Sequence, residues 1–180
     1  MKKIITFLFV LAITLFISCF SKRNSKKPET QFTITGRLME TRDYCGGAVP
    51  TPELLAICNT PAGISMGKLF IKKGNFNKGK SPVIDSIVAD KEGKFSIQLP
   101  AGTYCLVEDW KAKPFLLPEN DEMQTVDSAC YKNLYDACDY QLTVTDKNID
   151  SVKIIFHRTC AWKKPCIEYH GPLPPVAHPH

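Results

Sequence analysis

From Asp85 to Glu108 the chain reads DSIVADKEGKFSIQLPAGTYCLVE: strand, tight turn, strand, with apolar residues at alternate positions after the turn. Phe95, Ile97 and Leu99 alternate with Lys94, Ser96 and Gln98. A period of two sends successive side chains to opposite faces, so such a segment lays one face of a strand on a core. Asp90 is placed to bond its own backbone in the turn before Lys94, and Gly93 suits a position of positive φ. Pro100-Ala101-Gly102 then reverses the chain, and Tyr104 and Leu106 resume the alternation. The stretch predicts a β-meander whose inner face is Phe95, Ile97, Leu99, Tyr104 and Leu106.

The rest of the chain adds strands more often than helices. Phe32 to Leu38 (FTITGRL) predicts a first strand, and Lys68 to Lys72 (KLFIK) a second that ends at Gly74-Asn75. Asn75 to Ser81 is a turn-rich connection, and Pro82 to Val88 leads into the meander. Tyr140 to Val144 and Ser151 to Phe156 form a last strand pair around Asp146-Lys147-Asn148. Cys45–Gly67 and Trp110–Val126, rich in Pro or Gly, predict long loops, the first with one helical turn at Leu54 to Ile57. Asp127 to Ala137 predicts the one short helix, capped by Asp127 or Ser128, with Tyr131, Leu134 and Tyr135 on one face. The expected fold is all-β, an antiparallel β-sandwich of about seven strands in a single domain.

The meander also carries a resemblance. Asp90, Gly93, Phe95, Leu99, Pro100, Gly102 and Tyr104 resemble the pattern of the carboxypeptidase regulatory-like domains, small sandwiches of transthyretin-like topology, and Phe32 to Arg37 resembles their first strand. That resemblance implies a structural module without a catalytic centre. Cys45-Gly46-Gly47-Ala48, the late cysteines and Gly-Pro-Leu-Pro-Pro resemble a bacterial lipoprotein form of it. The Tyr-Arg-Gly-Ser signature of transthyretin-like hydrolases has no counterpart; Tyr169-His170-Gly171-Pro172 echoes it superficially.

The first residues read as an export signal. Met1-Lys2-Lys3 is basic, and Ile4 to Ile17 is an apolar run of 14 residues. A membrane span needs about 20 residues, so the run fits the apolar core of a signal peptide covering 1–18. Ser18-Cys19 resembles a bacterial lipobox, which makes Cys19 the candidate lipidation site, although Phe16 stands where Leu is usual. Ordinary signal cleavage and a retained anchor helix are the alternatives. Ser21 to Pro28 carries four positive charges and no apolar residue, so 19–30 is expected to be a lipid anchor and basic tether. This collar explains the formal net charge of +5: the chain after it holds 17 basic against 18 acidic residues. A membrane surface, and not nucleic acid, is therefore the partner that the charge distribution suggests.

The chain has eight cysteines, which in a short exported protein point to an oxidising compartment. With Cys19 acylated, at most three bridges form and one thiol is left. Cys45, Cys130, Cys160 and Cys166 are the candidate disulfide partners, and Cys160 and Cys166 are near enough in sequence to close a small loop. Cys58, Cys105 and Cys138 stay unassigned; Cys105 lies on the opposite face from Tyr104 and Leu106, where a covered free thiol is a fair reading. Metal is the rival use of this region, because His157, Cys160, Cys166 and His170 lie close in sequence and His178 and His180 follow. Their spacing does not match the paired knuckles of zinc sites, so no metal or other cofactor is expected. The β-sandwich is assigned to 31–158 and a Cys/Pro/His-rich tail to 159–180.

No Gly-x-Ser-x-Gly, His-Glu-x-x-His or phosphate-cradling Gly-rich loop occurs. The expected protein is non-enzymatic, anchored to a bacterial membrane in the cell envelope and facing the periplasm, and its two long loops are surfaces for a protein or glycan partner. A small hydrolase or metal-binding protein built on the His/Cys-rich C-terminus is one alternative. A purely structural envelope protein is another.

Overall fold

Asp90 makes the turn that the sequence suggests. Its Oδ1 accepts from the backbone N–H of Glu92 at 2.9 Å and of Lys94 at 2.8 Å. Gly93 adopts φ +80°, and a Cβ there would lie 2.5 Å from the Leu38 carbonyl oxygen, so only glycine fits. The computed structural model describes residues 29–78 and 81–172. The proposed signal peptide, Cys19, most of the tether, His178 and His180 lie outside the described residues.

Among the described residues ten strands and three helices follow in order. They are β1 (Gln31–Arg42), α1 (Pro52–Asn59), β2 (Ala62–Gly63), β3 (Lys68–Lys73), β4 (Val83–Val88), β5 (Lys94–Pro100) and β6 (Gly102–Val107). Then come α2 (Asp109–Ala112), β7 (Gln124–Val126), α3 (Ser128–Asp136), β8 (Tyr140–Val144), β9 (Ile149–Arg158) and β10 (Ile167–Tyr169). The protein is thus mostly β, and three of the strands are only two or three residues long. Among the described residues no helix is long and apolar enough to cross a membrane.

Two four-stranded sheets dominate. In the first, β1 pairs antiparallel with β5 along Gln31 to Arg37 and with β2 at Met39 and Glu40. It also runs parallel to β9 from Ile34 to Arg42, so this sheet is mixed and not purely antiparallel. The second sheet has the order β4-β3-β6-β8 and is antiparallel throughout. A small pair, β7 with β10, completes the set.

The expected meander is not a set of paired neighbours. β4 lies in the second sheet, β5 in the first and β6 in the second again. Likewise β8 and β9, expected as a pair, belong to different sheets. The inward row survives this change. Phe95, Leu99, Tyr104 and Leu106 are buried and Ile97 packs partly buried against them. The same apolar cluster draws Ile34, Leu38, Val152 and Ile154 from the first sheet and Leu69, Ile71, Ile87, Leu142 and Val144 from the second. Alternation dictates which face meets the core; it does not dictate which strand supplies the hydrogen bonds.

The loops carry more order than their composition suggests. Thr51 caps α1 through a bond from the Leu54 N–H, giving two helical turns with no buried residue. The α3 helix is capped by Asp127, whose Oδ1 accepts from the Cys130 N–H at 2.9 Å. β6 is buried on both faces, Tyr104 and Leu106 toward the apolar cluster and Cys105 and Val107 on the other side, where Cys105 is bonded to Cys138 just after α3. Residues 159–172 are not a free tail. Cys160 and Cys166 are disulfide-bonded to distant partners, and β10 pairs with β7.

The outer layer is organised by buried Asn77. Its Oδ1 accepts from Lys72 Nζ at 2.6 Å, and its Nδ2 donates to the carbonyls of Lys111 at 2.9 Å and Tyr135 at 2.8 Å. The backbone N–H of Asn77 donates to the Asp136 carbonyl. Four segments are joined through one residue. Asn77→Ala removes three side-chain bonds and strips the buried Lys72 ammonium of its acceptor; we expect a loss of about 4 kcal/mol, read by urea denaturation. Burial also holds Lys72 below the ordinary lysine pKa of 10.5. The unfolded chain therefore binds this proton more tightly than the folded one, and the cost is relieved as pH rises through the folded pKa toward 10.5. Wild-type stability relative to Lys72→Met should rise over that interval, measured by urea denaturation at successive pH values.

Candidate functional site

A cavity of about 660 Å³ opens where β6 and β9 end. Phe156, His157 and Arg158 form one side, Trp110 and Lys111 of α2 and Tyr131 and Leu134 of α3 another. Lys164, Pro165 and Ile167 close the rim next to β10.

Sheet geometry places the charges. The β1–β9 register sets Glu40 beside Phe156 and Arg42 beside Arg158. Arg158 bridges the sheets: Nη1 reaches Glu108 Oε1 at 2.6 Å and Nε reaches Glu40 Oε2 at 3.3 Å. Partial burial by itself lowers the guanidinium pKa, but hydrogen bonds and charge from Glu108 and Glu40 outweigh it and leave the group above its ordinary value. Its cation also lies 5.1 Å from the Phe156 ring centroid. Lys111 is buried, and its Nζ donates to Asp139 Oδ1 at 2.6 Å and to the Ala137 carbonyl at 3.1 Å. Asp139 Oδ2 in turn accepts from the Glu108 N–H at 2.7 Å. These groups hold one another in place.

Aromatic surface supplies the remainder. Trp110 is 37% exposed. Its ring lies 5.8 Å from that of Tyr131 and 6.2 Å from that of Tyr135, with Lys111 Nζ 5.2 Å from its centroid. Tyr135 donates from its hydroxyl to the Lys113 carbonyl at 2.6 Å, which holds the start of the Trp110–Val126 segment against α3. A cleft with aromatic faces, whose Lys111 and Arg158 are held in ion pairs, is suited to contact recognition of a ligand or a partner side chain.

Three bridges surround this region. Cys45 pairs with Cys160, Cys130 with Cys166, and Cys105 with Cys138. The small Cys160–Cys166 loop suggested by sequence does not form: each thiol reaches a partner on another element. Cys105 is not a free thiol, because its outward side chain meets the chain just after α3. Cys58 is the one without a partner among the described cysteines. Cys130–Cys166 ties α3 to the residue before β10, so it links two sides of the cleft, and Cys45–Cys160 secures the chain just beyond β9.

The histidines are dispersed. His157 Nε2 lies 2.8 Å from Asp43 Oδ1 and its Nδ1 lies 3.1 Å from Thr41 Oγ1. His170 Nε2 lies 2.9 Å from Thr125 Oγ1. No group of three or more His, Cys, Asp or Glu among the described residues is arranged to hold a metal ion. The hydroxyl–imidazole–carboxylate line at His157 has the outline of a relay. Thr41, however, sits inside the β1–β9 ladder and not at an exposed turn. Of the two expected loop surfaces, Trp110–Val126 contributes to the cleft through Trp110, Lys111, Pro118 and Gln124. Cys45–Gly67 does not line it, and exposes Val49, Ile57 and Met66 elsewhere.

Searched against protein-family models, curated proteins and solved structures, the chain matches none. The cleft can be tested through its ion pair. Asp139→Asn leaves Lys111 buried without a counter-charge and should cost about 3 kcal/mol, with partial recovery when Lys111→Met is added. Urea denaturation of the two single variants and the double variant measures the coupling.

Proposed function

We propose that this chain is an exported bacterial lipoprotein of the cell envelope. It acts without catalysis by presenting a disulfide-tied β-sandwich of the carboxypeptidase regulatory-like kind to a protein or glycan partner. Cys19 carries the lipid, the basic tether follows it, and the anchored domain faces the periplasm. Three bridges suit an oxidising compartment. A single apolar cluster fed by both large sheets supports the sandwich reading.

The observation that carries the binding role is the cleft itself: Trp110, Tyr131 and Phe156 line a cavity of about 660 Å³ in which Lys111 is paired with Asp139 and Arg158 with Glu108. Aromatic side chains in such settings dominate recognition of partners. A double variant, Trp110→Ala with Phe156→Ala, is therefore expected to lose binding at least about tenfold on a glycan array or in cross-linking to envelope proteins, with folding checked by circular dichroism. Unchanged binding contradicts the role of the cleft. Anchoring is tested separately: Cys19→Ser protein should be released from membranes, and continued partition with them contradicts the lipid anchor.

A further inference from the structure

On the outer face of the first sheet three cations stand abreast. Arg37 of β1 is paired in register with Lys94 of β5 on one side and Lys153 of β9 on the other. Their sequence neighbours Leu38, Phe95, Val152 and Ile154 are buried, so the three side chains point outward, and all are exposed. Adjacent strands are about 4.8 Å apart, which confines three positive charges to a row about 10 Å wide. Like charges directly opposite one another are destabilising. Among the described residues none of the three has a carboxylate partner within 4.0 Å. Arg37 donates instead to the Glu92 carbonyl oxygen at 2.8 Å, which holds the guanidinium in place. The nearby Asp150 carboxylate is engaged by Thr35 Oγ1 at 3.1 Å.

The row is also shaped. Arg37, Lys94 and Lys153 line a hollow of about 410 Å³ with the hydroxyl residues Thr35 and Ser151. Ser151 adopts φ +62°, beside the step where the β1–β9 register shifts between Ile34 and Gly36. Such irregular steps re-aim side chains at some cost to the ladder. The guanidinium, two ammonium groups and the Ser151 hydroxyl form a donor set that a tetrahedral anion can satisfy at several oxygens.

We infer that this row is a binding site for a phosphate group, separate from the cleft and independent of its role. A phosphate anion supplies the ion-pair partner that Arg37, Lys94 and Lys153 lack among the described residues. A free phosphate-bearing solute and a phospholipid headgroup offer the same chemistry, and two arms of one experiment separate them. The full chain, purified in detergent, is acetylated with an N-hydroxysuccinimide ester, and mass spectrometry reads the rate at each lysine. Millimolar inorganic phosphate is compared with sodium chloride of equal ionic strength. In the second arm, phosphatidylglycerol nanodiscs are compared with phosphatidylcholine nanodiscs.

Acetylation at both Lys94 and Lys153 should slow about fivefold in at least one arm, with no slowing at Lys132 on α3. Slowing with inorganic phosphate identifies a soluble ligand; slowing confined to phosphatidylglycerol discs identifies a headgroup. Arg37→Ala, an exposed change checked for native disulfides, should abolish the effect. Unchanged rates in both arms, equal slowing at Lys132, or slowing that survives Arg37→Ala overturns the assignment.

Discussion

Three covalent links hold the layer that surrounds the cleft. They join residues 115, 33 and 36 apart in sequence. Each removes freedom from the unfolded chain, by about 3 to 5 kcal/mol for loops of these lengths in the chain-entropy account. The apolar cluster between the large sheets involves none of these six cysteines. The outer layer depends on them far more. Its α2 is a single turn, and β7 and β10 are three residues each. Elements so short do not persist alone. Cys105–Cys138 and Cys130–Cys166 fasten the chain after α3 to β6 and α3 itself to the chain before β10, and the buried Asn77 and Lys111 networks add hydrogen bonds from β3 and α2 to the end of α3 and the chain after it.

The central cluster was legible in the sequence because its signal is local. Phe95, Leu99, Tyr104 and Leu106 alternate with polar residues, and each is buried. The topology was not legible from the same signal. A strand reads the same to its inward face whether its hydrogen bonds go to the next strand in the chain or to a distant one. Consecutive strands β4, β5 and β6 alternate between sheets, as do β8 and β9, and the parallel β1–β9 pairing joins residues more than 100 apart. No turn residue encodes that choice. Asp90 and Gly93 dictate a tight reversal, after which β4 and β5 separate to different neighbours.

The candidate site was still less accessible. Lys111 lies in a segment whose composition reads as irregular loop, yet it is buried against Asp139. Arg158 reaches Glu40 and Glu108, on two other strands or their ends. Ion pairs of this kind leave no spacing pattern, because the partners lie far apart in sequence and on different elements. The cysteines fell between these extremes. Their number announces bridges, but Cys160 and Cys166, close in sequence, are pulled to different elements, and the outward face of Cys105 is covered by the chain following α3. The cation row Lys94–Arg37–Lys153 likewise emerges only from register, with each residue alone an ordinary polar position on an alternating strand.

The central claim is that the bridges tie distant segments around the cleft. Peptide mapping of the native protein under non-reducing conditions, with free thiols blocked first, tests it most directly. The account predicts linked peptides for Cys45–Cys160, Cys105–Cys138 and Cys130–Cys166, and blocked Cys58. A Cys160–Cys166 peptide, or Cys105 recovered as a blocked thiol, would contradict it.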